Sequence, residues 1–214
     1  MKIGVLGSGM VGQALATKLV SLGHEVTVGT RDVHKLDEWL ASVDHKARVG
    51  SFAEAAANGE VVFNATAGSG ALNALRMAGA DNLRGKVVVD ISNPLDFSRG
   101  MPPSLFVSNT DSLGEQIQQA FPEVRVVKSL NTMNANLMVN PHLVAGGDHT
   151  VFVCGDDAAA KAQVTSILRD EFGWRDVVDL GDIKAARTVE MVVPLWVALF
   201  AQNGSPMFQF KVVK

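Results

Sequence analysis

Gly7-Ser8-Gly9-Met10-Val11-Gly12 follows the apolar run Lys2 to Leu6 and opens a segment with helical patterning. G-x-G-x-x-G at a strand-to-helix junction suits a pyrophosphate. The first glycine allows the tight turn, the second lets the phosphates approach the backbone, and the third lets helix and strand pack closely. The helix N-terminus adds free N–H groups and positive partial charge. Gly7, Ser8, Gly9, Met10, Val11 and Gly12 are therefore candidate cofactor contacts.

The second strand selects the cofactor. An NAD enzyme usually carries Asp or Glu at its end for the ribose 2′-hydroxyl. Here the strand ends Val28-Gly29-Thr30-Arg31. A hydroxyl and a guanidinium suit a 2′-phosphate, because arginine binds phosphate through a charge-assisted fork. Lys35, a helical turn beyond Arg31, adds charge. Asp32 would favour NAD if it faced the ribose, but it also reads as the N-cap of the next helix. NADP(H) is the expected cofactor. Ala65-Thr66-Ala67 and Asn93-Pro94 end two further apolar strands. In a doubly wound sheet those positions flank the ligand, the small residues near ribose and adenine and the Asn-Pro pair near the nicotinamide.

The remaining chemistry is sparse. The chain of 214 residues contains no tyrosine, one cysteine and five histidines. Tyrosine-based acid catalysis is excluded, and so is a disulfide framework. The histidines show no metal-ligand spacing, so no metal site is expected. Cys154 reads as a small buried hydrophobe. His142 and His149 flank a loop and suit surface roles. Arg187 and Glu190, three apart on a helix, suggest an ion pair. No catalytic side chain is nominated. The formal net charge of −3 excludes a strongly basic nucleic-acid binder. The longest apolar run, Met191 to Ala201, is about half of what a spanning helix requires. A cytoplasmic protein without membrane contact is expected.

These residues need a scaffold that brings strand ends together. Lys2–Leu6, Glu25–Gly29, Arg48–Val49, Val61–Ala65 and Lys86–Ile91 read as strands, several of them apolar throughout, as in a parallel sheet covered on both faces. Helical segments alternate with them: Met10 to Leu22 with Gly23 as its C′ residue, a segment capped by Asp32, and one opened by the Ser51/Glu54 capping box. The pattern predicts an α/β fold, a Rossmann-type doubly wound parallel sheet over residues 1–127. Asp96 to Asp111 reads as a loop, whose Phe97, Met101, Leu105 and Phe106 either cover an acceptor or pack among themselves. Residues 128–214 suggest a small C-terminal α/β lobe closing the cleft. It has strands at Val151–Cys154 and Asp176–Leu180, helices at Asp157–Phe172 and Ile183–Ala201, and a last strand at Phe208–Val213. The segment Met191 to Phe200 is apolar on nearly all sides, which argues burial and a dimer interface.

The sequence resembles the coenzyme F420-dependent NADP oxidoreductases, to which the cytosolic reductase domains of the six-transmembrane metalloreductases are related. The resemblance rests on Ile3 to Gly12, Gly23-His24-Glu25-Val26, Thr30-Arg31, Asp90-Ile91-Ser92-Asn93-Pro94, Val127-Lys128-Ser129-Leu130-Asn131-Thr132, Val153 to Asp157, Asp179-Leu180-Gly181 and Ala186-Arg187 with Glu190. It implies a Rossmann domain with a small lobe, usually dimeric, that passes hydride between NADP(H) and a flat second cofactor, deazaflavin coenzyme F420 or a flavin. It also implies that Asn131, Thr132, Met133 and Asn134 flank the acceptor cleft. Ring-to-ring hydride transfer needs alignment more than acid–base help, in keeping with the missing tyrosine. The competing readings are reduction of a small imine, carbonyl or ferric substrate, and an NADP(H)-binding redox sensor without turnover.

Overall fold

Apolar β-branched runs that alternate with capped helices fold as the pattern dictates. A computed structural model describes residues 1–213. β1 (Lys2–Leu6) leads into α1 (Met10–Ser21), which stops at Gly23, a glycine with φ of 84°. β2 (Glu25–Gly29) follows. Asp32 caps the next turn by accepting from the His34 N–H, as expected, and α2 (Asp37–Ser42) continues from that turn. β3 (Arg48–Gly50) precedes α3 (Phe52–Asn58), where Ser51 and Glu54 form the full reciprocal capping box. β4 (Val61–Asn64), α4 (Gly68–Ala78), α5 (Ala80–Leu83) and β5 (Val87–Asp90) complete the alternation.

The stretch read as a loop contains a short hairpin, β6 (Leu95–Asp96) with β7 (Ser104–Leu105). Then come α6 (Leu113–Ala120), β8 (Arg125–Ser129), α7 (Ala135–Val139), β9 (Thr150–Cys154) and α8 (Ala158–Ser166), which ends in a π-helical turn over Ile167–Glu171. β10 (Asp176–Asp179), α9 (Ala186–Met191) and α10 (Val193–Asn203) close the chain.

The sheet order is β10-β9-β8-β5-β4-β1-β2-β3. The strands from β3 to β8 run parallel, so the expected doubly wound sheet is present, with its topological switch between β1 and β4. Successive residues of one strand feed opposite cores. Val61, Phe63, Val87 and Val89 join α1, α7 and α8 on one face, whereas Val62 and Val88 join α3, α4 and α6 on the other. Burial on both faces explains why the strands show no polar alternation.

The described residues beyond 127 add β9 and β10 to this same sheet. β9 runs antiparallel to β8, touching it through the pairs Lys128–Cys154 and Ser129–Val153, and β10 is parallel to β9. That register carries the start of β9 past the end of β8, where Val151 and Val153 share a core with Leu130, Met133 and Leu137. The strand expected at Phe208–Val213 does not form. β9 already has β8 and β10 as neighbours, so the tail reaches it only at Thr150. The Thr150 N–H donates to the Phe210 carbonyl at 3.0 Å, and the Val212 N–H donates to the Thr150 hydroxyl at 3.0 Å. Among the described residues no helix is long and apolar enough to cross a membrane.

Candidate cofactor site

The glycine loop has the geometry its sequence implies. Gly7 adopts φ of 122°, and a Cβ there would lie 2.6 Å from the Ala65 carbonyl oxygen. A Cβ on Gly12 would lie 2.0 Å from the Gly7 carbonyl oxygen, which is how closely α1 packs onto the turn. Gly9 differs: a Cβ there would meet nothing within 4 Å. Gly9 is also the N-cap of α1, and no side chain caps that helix. Open space over uncapped N–H groups is the arrangement a pyrophosphate fills. Met10 stands 71% exposed at the mouth of the loop, while Val11 packs inward on the core.

At the end of β2, the Thr30 hydroxyl lies 3.1 Å from the Ser8 hydroxyl and 3.2 Å from the Asp32 carbonyl. Asp32 Oδ1 accepts its capping bond from the His34 N–H at 3.2 Å, and Asp32 lines neither of the hollows described next. Arg31 is exposed and lines two adjoining hollows. One, of about 210 Å³, is walled by Gly7, Ser8, Gly9, Thr30, Ala65, Thr66 and Ala67. The other, of about 250 Å³, continues along Thr66, Ala67, Ser69, Asn73 and Met77. The glycine loop, Thr30, Arg31 and Ala65–Ala67 thus converge on one groove whose lining carries a guanidinium and no carboxylate, a charge pattern that suits a 2′-phosphate dinucleotide. Lys35 is exposed on the neighbouring turn and does not line either hollow. A broader hollow of about 670 Å³ between α6 and the Asp156–Lys184 region shares no residue with the glycine loop.

The opposite end of the edge is closed. Gly68 at the start of α4 passes so near the Asn93 carbonyl that a Cβ would sit 1.8 Å from its oxygen. Asn93 and Asn131 bond each other. The Asn93 amide donates to the Asn131 carbonyl at 2.8 Å, and the Asn131 amide donates to the Asn93 side-chain oxygen at 2.9 Å and to the Val189 carbonyl at 3.0 Å. Leu130, at φ of 62°, turns the chain after β8. Pro94 anchors the hairpin, its carbonyl accepting from the Phe106 N–H at 2.9 Å. Asn131, Thr132 and Met133 are buried, and Asn134 caps α7. The polar side chains of Asn131 and Asn134 are thus bonded within the protein. Phe97, Met101 and Phe106 of the hairpin are exposed rather than packed among themselves.

Two expectations change, for Arg187 and for His149. Arg187 does not pair with Glu190. It makes a two-pronged bond to Glu115 on α6, with Nε donating to Oε2 at 2.8 Å, and this holds the Glu115 carboxyl below its usual range. Glu190 turns inward because Lys128 and the first N–H groups of α6 compete for it. His149 is buried, its Nε2 2.8 Å from the Pro141 carbonyl and its ring edge-on to Trp174. Leu195 and Phe200 of α10 are exposed on the single chain, while Val193 and Val197 pack inward. Cys154 is buried as expected, and burial pushes its thiol up to about 12. Among the described residues no group of three or more His, Cys, Asp or Glu is placed to hold a metal ion.

Sequence reasoning missed a charged cluster. Lys128 and Asp90 are fully buried beside Glu190, with Lys128 Nζ 2.7 Å from Asp90 Oδ2 and 2.8 Å from Glu190 Oε1. Burial alone would push the Lys128 ammonium down, but the two carboxylates outweigh it and hold it above its ordinary value. The available clue was positional. Asn64, Asp90 and Lys128 each follow an unbroken apolar run at the same place near a strand end.

Residues 2–94 match the family described as NADP oxidoreductase, coenzyme F420-dependent. A crystal structure from Arthrobacter sp. FB24, provisionally assigned as an F420-dependent NADP-reductase, is 54% identical, covers 100% of both chains and superposes with a TM-score of 0.97. The chain belongs to this family. It is an NADP-dependent oxidoreductase on an α/β Rossmann-type fold. The F420-dependent NADP reductase of Methanothermobacter marburgensis is 27% identical over 95% of this chain and 94% of its own. Metalloreductase STEAP3 of Rattus norvegicus is 32% identical over 91% of this chain, which spans only 38% of that longer protein.

Proposed function

We propose that this oxidoreductase passes hydride between NADP(H) and a planar deazaflavin or flavin acceptor, coenzyme F420 foremost. The observation that carries this reading is the sealing of the charged groups beneath the Ser92–Pro94 turn. Asp90, Lys128 and Glu190 lie beneath the floor, paired with one another, and offer no proton to a substrate carbonyl. Reduction of a ketone usually requires such a donor. Transfer between stacked rings requires placement, and bound NADPH supplies the hydride. The exposed Phe97, Met101 and Phe106 give the hairpin an apolar face suited to a flat ring system.

In this reading, Gly7 to Gly12 hold the pyrophosphate. Thr30, Arg31 and the nearby Lys35 take the 2′-phosphate, Ala65 to Ala67 pack on ribose and adenine, and Asn93 with Pro94 shapes the nicotinamide end. Residues 1–127 bind the cofactor. Residues 128–214 close the crevice through Asn131 to Asn134 and join a second copy through the exposed apolar side chains of α10, Leu195 foremost.

The test follows NADPH absorbance with F420, FMN, FAD, a ferric chelate and a cyclic imine in turn. Turnover fastest with F420 or a flavin is expected. Faster reduction of the imine or the ferric chelate would replace the acceptor, and tight NADPH binding without turnover would make the protein a sensor. Arg31→Ala should lower NADPH affinity by about tenfold or more and leave NADH binding unchanged. An equal effect on both would refute the phosphate assignment.

A further inference from the structure

The C-terminal edge of the sheet carries a polar row that cofactor contact does not explain. Leu6, Asn64, Asp90 and Lys128 are in register across β1, β4, β5 and β8. Just beyond them each strand becomes a crevice loop, at Gly7, Ala65, Ser92 and Asn131. The Thr66 hydroxyl, on the wall of the groove, donates to the Asn64 side-chain oxygen at 2.7 Å, and the Asn64 amide donates to Asp90 at 2.8 Å. The Ser92 hydroxyl donates to Asp90 at 2.7 Å, and Lys128 donates to the Ser92 carbonyl. Glu190 accepts the backbone N–H groups of Leu113 at 2.9 Å and Gly114 at 3.0 Å, at the start of α6. One connected network therefore runs from the cofactor groove, under the Ser92–Asn93–Pro94 turn, to α6 and α9.

The formal charge of the network is one cation against two carboxylates. Dehydrating three charges is costly, and apolar residues of similar volume often serve stability as well or better. A role in the chemistry accounts for its retention. A reduced nicotinamide ring is neutral and an oxidised one is cationic, so positive charge develops there as hydride departs. A fixed negative charge in a dry floor favours that form more than the same charge in water would.

We propose that Asp90, Lys128 and Glu190 act together as positioning residues that pin the Ser92–Pro94 turn and leave a net formal charge of one carboxylate, eased by the first N–H groups of α6, beneath the nicotinamide end, tilting the site toward oxidised cofactor. This rests on the reading that the nicotinamide lies at the Asn93 end of the groove. Asp90 and Lys128 set the turn, while Glu190 supplies the charge in excess and ties it to α6.

Glu190→Gln keeps the side-chain shape and removes one negative charge. The dissociation constants of NADP⁺, NADPH and 2′,5′-ADP are measured by calorimetry, the last as a probe confined to the adenine end. NADP⁺ binding should weaken about three- to tenfold relative to NADPH, with 2′,5′-ADP unchanged. A purely structural role would weaken all three ligands together or none. Equal changes for NADP⁺ and NADPH overturn the proposal. If Glu190→Gln does not fold, Asp90→Asn makes the same neutralisation from the other side of Lys128 and must shift the ratio in the same direction. Wild-type protein that binds all three ligands, with variants whose NADP⁺ to NADPH ratio is unchanged from wild type, leaves the cofactor reading standing and removes this one. Wild-type protein that binds none of the three removes both.

Discussion

The two ends of the cofactor groove use their polar groups in opposite ways. At the phosphate end, α1 begins without a side-chain cap, Gly9 faces open space, and Arg31 is exposed. At the end proposed for the nicotinamide, Asn93 and Asn131 satisfy each other, and Asp90, Lys128 and Glu190 pair inside the protein. One end is built to be completed by a ligand, the other to be rigid before the ligand arrives. That division matches what hydride transfer asks of a protein: affinity from the phosphates and exact ring placement from a preorganised floor.

Gly9→Ala should show the division most strongly. The added methyl meets no protein atom, so the melting temperature should stay close to that of the wild type, whereas NADPH affinity should fall by about a hundredfold because the pyrophosphate needs that space. A parallel loss of stability would mean that the loop is not waiting for a ligand. Asn131→Ala should do the reverse. It strips partners from Asn93 and the Val189 carbonyl and should cost about 1–3 kcal/mol in denaturant unfolding, with 2′,5′-ADP binding intact.

Arg187→Ala tests the brace between α9 and α6 and should have a smaller effect with a pH signature. The Arg187 hydrogen bond holds the Glu115 carboxyl below its usual 4.5, so its stabilisation is present above that pH and lost as pH falls through the folded-state value. The melting-temperature gap between variant and wild type should therefore be widest near neutrality and close in acid. The least effect is expected at Cys154. With its thiol pushed up to about 12, it should resist thiol reagents at pH 8 in the native protein and react only on unfolding.

What could be read before the structure was local. The strand–turn–helix context of the glycine loop, the Ser51 box and the Asp32 cap depend on residues within one turn of each other, and they appear as written. The misreadings are non-local. Arg187 and Glu190 are neighbours on a helix, yet each prefers a partner more than sixty residues away in the chain. Phe208–Val213 alternates like a strand, but strand formation depends on an unoccupied neighbour, which β9 does not supply. The Lys128 cluster draws on three strands and two helices, so each member looked like a lone polar residue at a strand or helix end.

The uncapped start of α1 has a thermodynamic consequence. In the proposed site cofactor completes that helix, and a ligand that binds the folded chain alone raises its stability in proportion to the logarithm of ligand concentration, by about 2.7 kcal/mol at a hundred times the dissociation constant. The folded population of this enzyme is thereby coupled to the NADP(H) pool, and its melting temperature serves as a gauge of that pool.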